Sequence, residues 1–372
     1  MSKAAELANL IGNINAGGGG VNRNVIINGA MNVAQRGTSQ AFAHDGTTNA
    51  FLIDRWRFFI NGTDELDGTY AQVADDPFGG NGNALKWTTG TEESAIASGE
   101  YGYFTQKIEA QNLQHIQNGN SNAKSITLSF YVKSSITGTF AVGLYKGDNT
   151  ARIFNKTYTI DSANTWEKKS VTFAGDTSGG GIDDDTGEGF WVNWHIFAGG
   201  DYKGGGATSG WTDYANNKWA DGQATDAVVT TAGATWLMTQ CQLEVGQNPT
   251  EFEHEPVERT LAKCKRYFHT YGGTNAFEHL PFLGQGNSSS INFNHELPVE
   301  MRSTPSLTQS GDWRVNDGYL GSYFTLSSVA LDNLSTKLVR GSATTSSAIG
   351  GDIGRMLAYN DLNARWSYSA EL

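Results

Sequence analysis

The stretch Ala234-Thr235-Trp236-Leu237-Met238-Thr239-Gln240-Cys241-Gln242-Leu243-Glu244-Val245-Gly246 is followed by Pro249-Thr250-Glu251-Phe252-Glu253, and its reading decides the fold. Leu237, Thr239, Cys241, Leu243 and Val245 fall on one side of a two-residue alternation, and Met238, Gln240, Gln242 and Glu244 on the other. That period predicts a strand with one buried face. Gly246 and Pro249 end it, because glycine weakens a ladder and proline cannot donate to one. A lone strand is unstable, so the residues before it must supply partners. The strand is expected to close a large β domain.

Working outward, the same alternation recurs. Ile126, Leu128, Phe130 and Val132 alternate with polar neighbours. Phe140, Val142 and Leu144 follow a polar turn at 133–138, and further runs lie at 166–173 and 190–196. Short strands with glycine-rich turns predict a sandwich or jelly roll. The chain has 372 residues, 46 glycines and 6 prolines, a balance that suits turn-rich β structure better than disorder. The expected fold is all-β: a jelly-roll β-sandwich followed by a smaller C-terminal β domain, with a short N-terminal helix. The boundaries are 1–21 for the helix and glycine hinge, 22–254 for the jelly roll, 255–271 for a short linker helix and 272–372 for the C-terminal β tip.

Ser2 is placed to cap a helix from Lys3 to about Ile14. Leu7, Leu10, Ile11 and Ile14 share one face, and so short a helix needs a partner in water. They are the candidate docking residues. Beyond the sandwich, Leu261, Cys264 and Phe268 are spaced to share a face of the linker helix. The formal net charge of −12, with no basic stripe, argues against a nucleic-acid partner. No apolar run approaches the roughly 20 residues that span a bilayer, so no membrane insertion is expected. The start lacks a secretory signal pattern, which predicts assembly in the cytoplasm. The two cysteines, Cys241 and Cys264, form no CxxC pair and are expected as thiols.

Several segments taken together resemble phage tail fibre and minor tail proteins. They are Asn24–Thr38 (NVIINGAMNVAQRGT), Asp54-Arg55-Trp56, Ser125–Leu144, Tyr158–Gly179, and Thr239–Phe268 with its QLEVG and FEH elements. Pro298–Pro305 is similar to the PxxMRxTP turn of tail-fibre tips. The resemblance implies a receptor-binding virion protein with a carbohydrate-binding-module-like jelly roll. It also implies a homotrimer, other phage tail proteins as partners through the N-terminus, and host-surface polysaccharide as ligand. Two alternatives stay open: a purely structural tail adaptor, and a virion polysaccharide depolymerase.

For glycan contact, aromatic faces beside polar groups are the chemistry to seek. The glycine-rich loop after Phe197 carries Tyr202, Trp211, Tyr214 and Trp219. Trp219 and Tyr214 are preferred there, since the resemblance favours a framework role for Tyr202 and Trp211. Tyr319 and Tyr323 are candidates in the C-terminal domain, where tyrosine offers contact area at low entropic cost. The run Asp183–Glu188 offers Asp183, Asp185 and Glu188 as candidate ligands for a hard cation such as calcium, although its spacing departs from the twelve-residue calcium loop. An acidic hairpin tip is the plainer reading, and no cofactor is expected. No HExxH or GxSxG frame occurs, and no catalytic residues are assigned.

Overall fold

The quoted stretch forms one eleven-residue strand, Thr235–Val245, β13 in chain order. It sits inside a sheet, between two neighbours, and is covered on both faces. A computed structural model describes residues 2–15, 22–43, 46–80, 82–287, 289–316, 323–346 and 353–372. The chain divides into two compact units, Met1–Thr260 with Leu372, and Leu261–Glu371.

The alternation expected of β13 breaks at Gln240. This residue has φ 50°, and the pairing register shifts between Thr239 and Gln242. An extra residue in a strand moves every later side chain to the opposite face. The core therefore receives Trp236 and Met238 before the bulge, and Cys241, Leu243 and Val245 after it. Leu237 and Thr239 point the other way, and Met238 points in, which corrects the single-phase reading.

The large unit is a sandwich of jelly-roll type. One six-stranded sheet runs β1 (Ser39–Phe42), β4 (Gly68–Ala74), β5 (Asn83–Thr89), β13, β7 (Ile126–Ser134) and β10 (Glu167–Phe173). The facing seven-stranded sheet runs β12 (Thr212–Asp213), β9 (Arg152–Ile160), β8 (Gly138–Lys146), β11 (Glu188–Ala198), β6 (Tyr101–Glu109), β3 (Arg57–Thr63) and β2 (Gly46–Phe51). Its pairings are antiparallel throughout. Aromatics fill the space between the sheets: Phe58 stacks on Phe104 at 4.5 Å, Phe104 on Trp236 at 5.6 Å, and Trp56 lies 5.3 Å from Trp194. Each such buried ring contributes about 1.5–3 kcal/mol of transfer free energy.

The segments that carried the resemblance are framework. Past Met238, the β5 side of β13 is taken over by residues 24–29. Val25 N donates to Leu243 O and Cys241 N to Gly29 O, while Asn24 bonds Cys241 O and Leu243 N. Gly29 must be glycine, since a Cβ there would lie 2.2 Å from Cys241 O. Asn28 then ties the turn to the Asp-Arg-Trp segment: its amide donates to Val33 O and Asp54 O, and Trp56 Nε1 donates to Asn28 O.

Gln242 and Glu244, expected on a solvated or neighbour-facing side, are buried under the chain's own return. Glu244 accepts from Gln242 Nε2 at 2.8 Å and from the backbone N and hydroxyl of Thr250, with Arg23 Nε at 3.5 Å. Gln242 Oε1 accepts Glu253 N at 2.8 Å. Buried polar groups need partners, and here residues 250–253 fold back to supply them.

The N-terminal helix α1 spans Lys3–Asn15, with Ala5 N bonded to Ser2 Oγ at 3.3 Å. Leu7 is 57% exposed and Ile11 48%. The side chains of Leu10 and Ile14 lie outside the described residues. A second helix, α2 (Val257–Lys265), is followed by strand β14 (Phe268–Tyr271), so the expected linker helix 255–271 ends earlier than its stated limit. Cys264 and Phe268 are buried and Leu261 half-buried. Both Cys241 and Cys264 carry buried thiols.

The smaller unit pairs β14, β22 (Arg365–Ser369) and β17 (Ser306–Ser310) in one sheet. A closed barrel follows the order β15 (His279–Asn287), β16 (Ser290–Glu296), β20 (Leu338–Thr345), β19 (Tyr323–Leu334), β18 (Trp313–Asn316) and β21 (Ile353–Ala358). Closure removes the exposed edges of a small sheet. The 298–305 turn is a strap: Met301 is buried, and Arg302 Nε donates to Ala370 O at 2.9 Å.

Candidate functional site

Strands of the seven-stranded sheet present their second phase away from the sandwich core. On an ordinary outer face that phase is polar. Here it is aromatic: Phe59 on β3, Tyr101 and Tyr103 on β6, Tyr145 on β8 and Trp191 on β11. Together with Arg57, Tyr202, Tyr214 and Trp219 they line a cleft of ≈ 280 Å³. Cross-strand register brings them together, with Phe59 opposite Tyr103 and Trp191 opposite both Lys107 and Tyr145.

Trp219 forms one wall. It is 6% exposed and meets Tyr103, Tyr145, Trp191 and Tyr214 edge-on at 5.5–5.9 Å. Tyr202 lies 4.2 Å from Tyr101. Tyr214 is 36% exposed, and its hydroxyl donates to Asn216 Oδ1. Burial pushes the Tyr101 phenol up to about 12 and raises those of Tyr145 and Tyr214, so the rings present neutral hydroxyls.

The segment that supplies Tyr202, Tyr214 and Trp219 is held by polar pins. Asp221 accepts from Gly204 N and Ala207 N at 2.8 and 2.6 Å. Arg152 Nη1 pairs with Asp213 at 2.7 Å, and Lys218 Nζ donates to Thr212 and Asp213. Underneath, one register row crosses the sheet as Arg57, Thr105, Asn193, Gly143 and Asn155. Gly143 has a specific use there: a Cβ would lie 2.0 Å from Asn155 Oδ1. The Asn155 amide occupies that space and donates to Lys218 O at 2.7 Å, which fixes the neighbouring Trp219. Among the described residues, Thr105 Oγ1 and both amide atoms of Asn193 have no protein hydrogen-bond partner.

Charge at the cleft comes from three groups. Lys107 Nζ lies 3.8 Å over the Trp191 ring and pairs with Glu188, which also accepts from Trp191 Nε1 at 2.7 Å. Burial pulls the Lys107 ammonium below its ordinary value, against the opposing pull of Glu188. Arg57 stacks on Phe59 at 4.9 Å. His195, on the same outer phase, is held neutral by burial, with its pKa lowered to about 3.

Of the sequence candidates, Tyr202, Tyr214 and Trp219 reach this cleft and Trp211 does not. Trp211 stacks on Phe190 at 5.8 Å, meets Phe154 edge-on, and donates Nε1 to Ala174 O. It pins the loop to the sandwich core. Tyr319 lies outside the described residues. Tyr323 belongs to the smaller unit, where it is 45% exposed and packs on Tyr359 at 4.9 Å. Arg57, Phe59, Tyr101, Tyr103, Tyr145 and Trp191 were not singled out from the sequence. Their signal was present as aromatics on the phase of a strand that should be polar.

Asp183, Asp185 and Glu188 do not converge. Asp185 accepts Gly187 N within its own turn, and Glu188 is taken by Lys107 and Trp191. Among the described residues, a group of three carboxylates lying within 4.8 Å of one another is formed by Asp64, Glu93 and Glu100. Glu93 accepts the backbone N–H groups of Glu65 and Leu66, and Glu100 that of Ala97. Burial raises the Glu100 carboxyl above its usual range.

No family model matches the chain, and no curated protein matches it. Solved structures similar to it include the enzymatically active domain of bacteriophage CBA120 tailspike protein 4, at 12% identity and TM-score 0.30, covering 60% of this chain and 21% of that one. A family 11 carbohydrate-binding module from Clostridium thermocellum, in complex with a β-1,3-1,4-mixed-linked tetrasaccharide, is 11% identical at TM-score 0.28, covering 58% and 99%. The tandem CBM22-1-CBM22-2 domain of Paenibacillus barcinonensis Xyn10C is 10% identical at TM-score 0.27, covering 94% and 98%. This chain thus spans about a fifth of the tailspike. Likenesses at these scores carry no functional argument, and the reading below rests on the cleft. No described helix is long and apolar enough to cross a membrane.

Proposed function

We propose that this chain is a glycan-binding component of a phage tail, and that the aromatic cleft on the seven-stranded sheet holds a host-surface polysaccharide. One observation carries the binding reading: half-buried rings stand on the outer phase of that sheet, braced from behind and open in front. Apolar ring faces suit the CH faces of sugars, and the tyrosine hydroxyls and Arg57 supply convergent polar groups. The tail assignment is supported by the sequence resemblance, whose segments build the framework of the same sandwich.

Binding without cleavage fits the lining. A glycosidase needs two carboxylates flanking the scissile bond. Among the described residues, the cleft lining contains no carboxylate, and nearby Glu188 is engaged by Lys107 and Trp191. The exposed Leu7 and Ile11 on α1 give this reading a docking face toward other tail proteins or further copies, as a homotrimer in the virion. Three weak sites on one particle would raise avidity when geometry lets them engage together.

The test is adsorption of labelled protein to host cells and to their extracted polysaccharide, with Tyr101→Ala and Trp191→Ala beside the native chain. Retention by native protein, loss of at least tenfold in both variants and no release of reducing ends are expected. Equal retention by all three proteins would rule the cleft out. A light-scattering mass of one chain at micromolar concentration would rule out the trimer.

A further inference from the structure

The rim of the cleft narrows the kind of sugar. Arg57 leaves β3 on the outer phase, two residues before Phe59, and its guanidinium lies over the Phe59 ring. Its Nε donates to Asn49 Oδ1 at 2.6 Å. Those two contacts fix the plane of the group. Among the described residues, its terminal nitrogens donate to no protein atom and no carboxylate pairs with it. The other two charges at the cleft cancel, because Lys107 and Glu188 are paired over Trp191. The lining therefore carries one uncompensated positive charge, on a chain whose net charge is −12.

A guanidinium held at Nε and by one face keeps an open fork of N–H donors at its far edge. That fork matches a carboxylate in two parallel hydrogen bonds, each charge-assisted. A neutral sugar hydroxyl accepts from such a donor but brings no opposite charge, so it gains less from the guanidinium than a carboxylate does. The chain's overall acidity repels anions at long range, but salt screens that field within about 8 Å at physiological ionic strength, while a direct pair persists.

We infer that the cleft selects an acidic saccharide, a chain bearing uronic acid residues, with the sugar carboxylate on Arg57 and the ring against Tyr101, Tyr202 and Tyr214. This rests on the glycan-binding reading above and deepens it.

The test is titration calorimetry of the full chain against polygalacturonate, alginate and hyaluronan oligosaccharides, each beside its carboxyl-reduced neutral counterpart, with dextran sulfate as a second anion. The native protein is expected to bind at least one uronate at least tenfold more tightly than its reduced form, with a preference that shrinks as salt rises. Arg57→Gln should abolish that preference, bringing affinity for the uronate down to that for the reduced sugar. Arg57→Lys should keep only part of it, since an ammonium lacks the fork. Thermal melts of both variants should match the native protein because the guanidinium is at the surface. Equal affinity for uronate and reduced sugar, or a preference that survives Arg57→Gln, overturns the inference and leaves glycan binding standing. Binding of dextran sulfate but of no uronate overturns the carboxylate. Failure of every saccharide, neutral and acidic, to bind overturns both.

Discussion

The two outer faces of the sandwich are solved in opposite ways. On the six-stranded sheet, Gln242 and Glu244 of the central strand meet a polar latch from Arg23 and residues 250–253, and the surface there is closed. On the seven-stranded sheet, the corresponding phase carries aromatic rings that are braced along their edges by residues 199–225 and left open between. A polar group taken out of water demands a partner, so the first face had to be covered by chain. A ring demands none, so the second can stay half-wet and offer its faces to a ligand. The difference separates a face that contributes stability from one available for recognition.

The sharpest break of this comparison is Glu244→Ala. Removing the carboxylate takes the acceptor from Thr250 N, one partner from the Gln242 amide and the opposite charge from Arg23, so stability should fall by about 3–5 kcal/mol in urea unfolding. A loss under 1 kcal/mol would show that the latch is incidental.

Acid provides the next contrast. The His195 pKa is depressed to about 3 by burial behind the cleft, against an ordinary 6.5. Its contribution is present above pH 6.5 and is lost as pH falls toward 3, because only the unfolded chain takes up the proton in that window. The slope should approach about 1.4 kcal/mol per pH unit. His195→Phe should flatten that limb of the stability profile measured by urea unfolding from pH 7 to 4. His269 and His295, lowered by burial to about 4, give the smaller unit its own acid limb over a narrower window.

Gly143→Ala probes how the wall of the cleft is set. The new methyl must displace the Asn155 amide and with it the bond to Lys218 O, at a cost of about 1–3 kcal/mol. Glycan affinity should fall together with stability, whereas a loss of stability alone would detach Trp219 from binding. Tyr214→Ala sharpens the contrast from the other side. This ring is exposed, so stability should move by less than about 0.5 kcal/mol while glycan affinity drops about tenfold.

Much of the fold was legible in the residues. Alternation at 126–132, 140–144, 166–173 and 190–196 located β7, β8, β10 and β11, because a strand with one buried face must repeat every two residues. Ser2 marked the start of α1. The site was less legible. Tyr214, Trp219 and Tyr202 stood out in a glycine-rich loop, but Phe59, Tyr103 and Trp191 lie in strands, where no local period separates a ring at a cleft from a ring in the core. Of the two loop residues expected as framework, Trp211 is a pin against Phe154 and Phe190, whereas Tyr202 lies at the cleft against Tyr101, and only depth in the fold separates the two roles.

By itself, then, the sequence determined the strand periods, the all-β class and the change of character after the last sandwich strand, because these follow from local patterns of apolar and polar residues. Only the tertiary structure decided which phase faces which layer. A single bulge at Gln240, set by the fit of residues 24–29 against β13, turns the second half of that strand over. Only register across β3, β6, β11 and β8 gathers rings from distant positions into one cleft. Both depend on contacts far apart in the chain, which no local period encodes.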